Sequence, residues 1–79
     1  MSDSEAMLHE ANRRAHAVAR ASIGYLEARA GEINDRTRRT PSRTPAEWYA
    51  EQTKRYLCLS EAVDAYEEIQ QRQQKEATL

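Results

Sequence analysis

Large aliphatic side chains are scarce in this chain, and that scarcity limits what it can fold into. Among 79 residues there are ten Val, Ile and Leu, thirteen Ala and no Phe. A core this small rarely stabilises a domain by more than about 3–5 kcal/mol, so a second copy or a partner usually completes it. Two Gly and two Pro are too few for the many turns of a β-sandwich or barrel. We therefore expect one all-α domain over residues 1–79.

A helical period runs through the first part of the chain. Placed at 100° per residue, its apolar side chains share one broad arc. Ser2 and Glu5 have the spacing of an N-terminal capping box, and Gly31 is the residue type that most often ends a helix. The sequence predicts a first helix over about 3–31. Its apolar arc contains Met7, Leu8, Ala11, Ala15, Val18, Ala19, Ile23, Tyr25, Leu26, Ala30 and Ile33.

A second helix is predicted over about 45–74, with a frayed C-terminus beyond it. The run Thr44-Pro45-Ala46-Glu47 supplies an N-cap hydroxyl, a proline at the first helical position and a Glu at the third. After Ile69 the apolar stripe stops. Its apolar face contains Trp48, Tyr49, Tyr56, Leu59, Ala62, Val63, Tyr66 and Ile69.

The connection between the helices is predicted to be a basic loop over about 32–43, with room for a short extra helical turn around 34–39. One helix presents alanines and the other presents aromatic rings, a combination that fills the space between two helices. The sequence thus predicts an antiparallel helical hairpin. Because two helices cannot enclose a core, we expect the hairpin to form a homodimeric four-helix bundle or to join a partner protein.

Nothing in the sequence indicates catalysis, a metal or a cofactor. About 10.5 Å of helical rise separates His9 from His16, too far to share one zinc ion at bond lengths of about 2.0–2.1 Å. No phosphate-binding glycine loop or nucleophile motif is present. The single cysteine, Cys58, is expected to be a small packed side chain. We therefore do not expect an enzyme.

Localisation is predicted from three features. The acidic N-terminus lacks the apolar core of a signal peptide, and a lone cysteine suits a reducing compartment. No apolar run approaches the roughly 20 residues that cross a bilayer. We expect a cytoplasmic protein that does not partner a membrane.

Charge is unevenly distributed along a chain that is nearly neutral overall. Residues 11–44 contain eight arginines against three acidic residues, whereas residues 45–79 contain four basic residues against seven acidic ones. Arginines beside Ser and Thr are suited to phosphate groups, which favours a nucleic-acid-binding regulator as one hypothesis. The same arginines could contact an acidic protein or be only solvated. The candidate contacts are Arg13, Arg20, Arg36, Arg38, Arg39 and Arg43.

The aromatic residues favour the leading hypothesis. Tyr and Trp bury large areas with few rotatable bonds, and they dominate the energetics of protein interfaces. Trp48, Tyr49 and Tyr56 are the candidate partner-binding residues. We expect a non-enzymatic interaction module that binds and masks or holds a partner protein. Inhibitors, adaptors and co-chaperones work in this way, phage-encoded inhibitors of host machinery among them.

Overall fold

The structure is a computed structural model that describes residues 3–77, and it is an antiparallel hairpin of two long helices. Helix α1 spans Asp3–Arg36 and helix α2 spans Pro45–Ala77. The hairpin is 60 Å long and 15–17 Å across. Residues 3–77 contain no strand. The predicted all-α hairpin is confirmed.

The start of α2 is the capping box predicted from the sequence. The Thr44 hydroxyl accepts a hydrogen bond from the Glu47 amide, and the Glu47 carboxylate accepts one from the Thr44 amide, both at 3.2 Å. Two backbone donors at the helix end are satisfied in this way. The other predicted capping box cannot be compared, because Ser2 lies outside the described residues.

The helices meet along a seam whose residues recur at alternating intervals of four and three. This is the spacing of a left-handed coiled coil, which keeps one narrow stripe of each helix facing the other. Buried and half-buried positions follow it throughout. The seam contains Met7, Ala11, Arg14, Val18, Ala21, Tyr25, Ala28, Glu32 and Asp35 of α1, and Trp48, Gln52, Arg55, Leu59, Ala62, Tyr66, Ile69 and Gln73 of α2.

Two arginines occupy seam positions and bind the opposite helix in the same way. Arg14 donates to the carbonyl oxygen of Ala65 at 2.8 Å, and Arg55 donates to that of Gly24 at 2.7 Å. Each guanidinium is also held by a glutamate four residues earlier, Glu10 and Glu51 respectively, at 2.8 Å. The hydrogen bond from its arginine is the main cause that lowers the pKa of each glutamate. The seam is therefore fixed by polar contacts as well as by apolar packing.

Helix α1 does not end at Gly31, where the sequence suggested a stop, but continues to Arg36. Gly31 is not in the left-handed conformation, and no described residue has a positive φ. Because Gly31 has no side chain, the indole of Trp48 can pack directly against the backbone at this position. A Cβ at this position would lie 2.9 Å from Cη2 of that ring. The connection shortens accordingly to residues 37–44, and the extra turn considered around 34–39 is partly the end of α1 itself.

The broad apolar arc predicted for α1 divides into two parts. Met7, Ala11, Val18 and Tyr25 face α2, whereas four large aliphatic side chains of the same arc point away from it and remain exposed. A single neighbouring helix covers a stripe narrower than this arc, which is why the two parts separate. The exposed side chains are Leu8, Ile23, Leu26 and Ile33.

Candidate functional site

The loop end of the hairpin is organised around one buried carboxylate. Asp35 is 4% exposed and lies at the last seam position of α1. One of its oxygens accepts from the amide and the hydroxyl of Ser42 at 2.8 and 2.9 Å. The other accepts from the Arg43 amide at 3.1 Å and from Nε1 of Trp48 at 2.8 Å. One side chain therefore ties α1, the loop and α2 together.

These hydrogen bonds hold Asp35 in its ionised form. The amide of Ser42 and the indole of Trp48 are the main causes that lower the pKa of this carboxyl well below its ordinary value, against the opposing effect of burial. No arginine forms an ion pair with it among the described residues. The charge of Asp35 is therefore stabilised by uncharged donors and not by an arginine.

Trp48, a candidate partner-binding residue, is half-buried in the hairpin. Its ring packs on Gly31, its Nε1 donates to Asp35, and the guanidinium carbon of Arg43 lies 4.8 Å from the ring centroid. Arg43 thus covers a face of the indole by a cation–π contact. Both residues shape the loop end of the hairpin in the free protein.

The other two candidate partner-binding residues form an exposed surface beside this cluster. Tyr49 is 72% exposed and Tyr56 is 55% exposed. Tyr56 meets Tyr25 of α1 edge to face, with 5.9 Å between the ring centroids. The three tyrosines, with Gln52 and Thr53, line a shallow depression of about 250 Å³. We call this the tyrosine surface: Tyr25, Tyr49 and Tyr56.

The six candidate arginines do not form one patch. Arg36, Arg38, Arg39 and Arg43 lie at the loop end, whereas Arg13 and Arg20 lie on α1. Arg13 is paired with Glu10, and Arg43 is stacked on Trp48. Among the described residues, the remaining four side chains have no hydrogen bond, ion pair or ring contact. These unpaired arginines are Arg20, Arg36, Arg38 and Arg39.

The described residues offer no arrangement for metal chemistry. No group of three or more His, Cys, Asp and Glu side chains within residues 3–77 lies close enough to hold an ion. Cys58 is exposed, so the expectation of a packed thiol is wrong. Cys58 lies outside the seam of α2, so α1 does not cover it.

Sequence reasoning missed the two residues that build the loop end. The sequence pattern gives no role to Asp35 and predicts only a helix stop at Gly31. The signal that could have found them is their spacing, because Asp35 continues the four–three seam and Gly31 lies one turn before it.

Comparisons of this chain with protein-family models, with curated proteins and with solved structures find no match. Over the described residues, neither helix contains a stretch apolar enough to span a lipid bilayer.

Proposed function

We propose that this protein is a non-enzymatic helical module that binds a partner protein and masks or holds it, as a cytoplasmic inhibitor, adaptor or co-chaperone does. The observation that carries the proposal is the tyrosine surface. Tyr49 and Tyr56 are 72% and 55% exposed, and together with Tyr25 they line one depression on the hairpin. Exposed, adjacent aromatic rings are the side chains that contribute most to binding at protein interfaces.

The surroundings of the tyrosine surface favour an acidic partner. The loop end, with the exposed Arg36, Arg38 and Arg39, lies at the same end of the hairpin as Tyr49. Arginine is enriched with Tyr and Trp at protein interfaces, where it adds planar, directed hydrogen bonds. A partner surface with acidic residues around an apolar centre would match both the arginines and the tyrosines. Because Trp48 is already engaged with Asp35, it positions the loop end, and Tyr49 and Tyr56 make the contact.

We expect substitution of the tyrosines to remove partner binding without unfolding the hairpin. Tyr49→Ala and Tyr56→Ala should each weaken binding of the captured partner by roughly 30-fold, because truncating an interface hot spot costs at least about 2 kcal/mol. Leu57→Ala is the matched control, since Leu57 is as exposed as Tyr56 but does not line the depression between the tyrosines. The measurement is affinity capture from native cells, followed by titration of the purified partner against each variant. Equal binding by all three variants would refute the assignment of this surface.

The second candidate function is a nucleic-acid-binding regulator. Its specific support is that Arg20, Arg36, Arg38 and Arg39 lack an acidic partner among the described residues, so their charge is free to meet phosphates. Opposing it, α2 is acidic over most of its length. The two hypotheses differ in what the arginines contact. The salt dependence of DNA or RNA binding distinguishes them.

If the arginines bind phosphates, log Kd for DNA or RNA should change with log salt concentration by about 0.7–0.9 per phosphate contacted. Replacing Arg36, Arg38, Arg39 and Arg43 together by Ala should flatten that dependence. Helicity should persist, because none of the four is a seam residue and only Arg43 contacts one, Trp48. Under the leading hypothesis the wild type shows no such binding at about 150 mM salt. Micromolar binding that the fourfold change abolishes would make nucleic-acid binding the better account.

A further inference from the structure

Helix α1 carries a second apolar stripe with the spacing of a coiled-coil seam. Its intervals are four, three, four and three, the same as those of the stripe that packs on α2. At 3.6 residues per turn it lies roughly 130–180° around α1 from the seam with α2. We call it the outer stripe: Ala19, Ile23, Leu26, Ala30 and Ile33.

The outer stripe is exposed along its whole length in the hairpin. Ile23, Leu26 and Ile33 are each about 60% exposed, and the two alanines are exposed as well. On the outer side of α2 there is no comparable run, since Leu57 is the one large aliphatic exposed there among the described residues. Two apolar stripes on one helix are typical of an inner helix of a larger bundle, where each stripe packs on a separate neighbour.

We propose that the outer stripe binds the outer stripe of a second copy of this chain, related by a two-fold axis. A two-fold contact uses the same patch on both copies, so one continuous stripe supplies both sides of the interface. Two alanines among three large residues allow the copies to approach closely while the aliphatic side chains fill the space beside them. The α1 helices then form the centre of a four-helix assembly, with each α2 outside its own α1.

The area of the stripe fits a second copy bound with modest affinity. Its three large side chains and two alanines cover about 21 Å of helix at 1.5 Å per residue, which makes a contact smaller than the roughly 800 Å² per partner of a standard interface. We therefore expect a dissociation constant in the micromolar range. The outer stripe points away from α2, so the tyrosine surface stays accessible in the dimer. This inference is independent of the proposed partner-binding function.

The test is the concentration dependence of mass and stability for the full chain. Light scattering from about 5 to 500 µM should show the mean mass rising from 9.1 kDa toward twice that value. Leu26→Glu should raise the dissociation constant at least tenfold, because it places a charge at the centre of the stripe. Leu57→Glu is the matched control, with the original side chain 56% exposed against 63% for Leu26. It should leave dimerisation unchanged.

Two results would overturn the proposal. One is a wild type that stays at 9.1 kDa with a Tm independent of concentration, whatever other protein binds it. The other is a Leu26→Glu variant that dimerises as well as the control. If Leu26→Glu fails to fold, Ala19→Ser tests the same stripe more gently. It should weaken dimerisation while circular dichroism shows native helicity, and an unchanged dissociation constant would contradict the proposal.

Discussion

Replacing Asp35 by Ala should lower the Tm by about 10 °C or more, measured by circular dichroism, because four hydrogen-bond donors lose their acceptor at once. The amide and hydroxyl of Ser42, the amide of Arg43 and the indole nitrogen of Trp48 all donate to this one carboxylate at 2.8–3.1 Å. Asp64→Ala is the matched control, since Asp64 is an exposed aspartate of α2. It should change the Tm by only a few degrees. Equal effects of the two changes would mean that Asp35 does not organise the loop end.

The pH dependence of stability should report the same carboxylate. Folding lowers the pKa of Asp35, so this carboxyl binds a proton more readily in the unfolded chain than in the folded protein. The ionised carboxylate therefore stabilises the folded protein at pH values above the ordinary pKa of aspartate, about 4. This contribution is lost as the pH falls below that value. Asp35→Asn lacks the contribution at every pH. The difference in Tm between wild type and Asp35→Asn should therefore shrink from pH 7 to pH 3. Protonation of Glu10 and Glu51 also lowers the stability as the pH falls, but it affects both proteins alike.

The two glycines of α1 should respond in opposite directions to the same substitution. At Gly24 the nearest side-chain atom to an added Cβ is a guanidinium nitrogen of Arg55 at 3.8 Å, so Ala fits and should stabilise the helix by about 0.5–1 kcal/mol. At Gly31 the Cβ would meet the Trp48 ring at 2.9 and 3.2 Å. The ring must then shift, which weakens its hydrogen bond to Asp35. Gly31→Ala should therefore destabilise the protein by about 1–3 kcal/mol despite the gain in helix propensity.

A double-mutant cycle isolates the cause of the Gly31 effect. In a Trp48→Ala background the steric conflict is gone, so Gly31→Ala should become stabilising, as Gly24→Ala is. Urea denaturation of the four proteins in the cycle measures the coupling. If Gly31→Ala destabilises equally with and without the indole, the close approach of ring and backbone is not what requires glycine at this position.

The predicted site residues lie in different surroundings in the structure. Tyr49 and Tyr56 are exposed and adjacent, as an interface requires, while their role in binding stays a prediction. Trp48 is drawn into the hairpin by Gly31 and Asp35, contacts between residues 13 and 17 positions apart. The candidate arginines are divided between the loop end and α1. The spacing of residues along a helix shows which side of the helix each side chain occupies. The contacts of Trp48 with Gly31 and Asp35 depend instead on where the chain turns between the helices.

The sequence by itself determined that this protein is two helices in a hairpin. Helical period, the capping box at Thr44 and the lack of turn residues are local properties, and local properties decide secondary structure in a chain with so few alternatives. Only the tertiary structure decided which part of the wide α1 arc is covered. It also decided that α1 runs through Gly31 and that Asp35 is buried. The physical reason is that one neighbouring helix selects a stripe with a spacing of 3.5 residues, and hydrogen bonds across the turn outweigh the cost of burying a carboxylate.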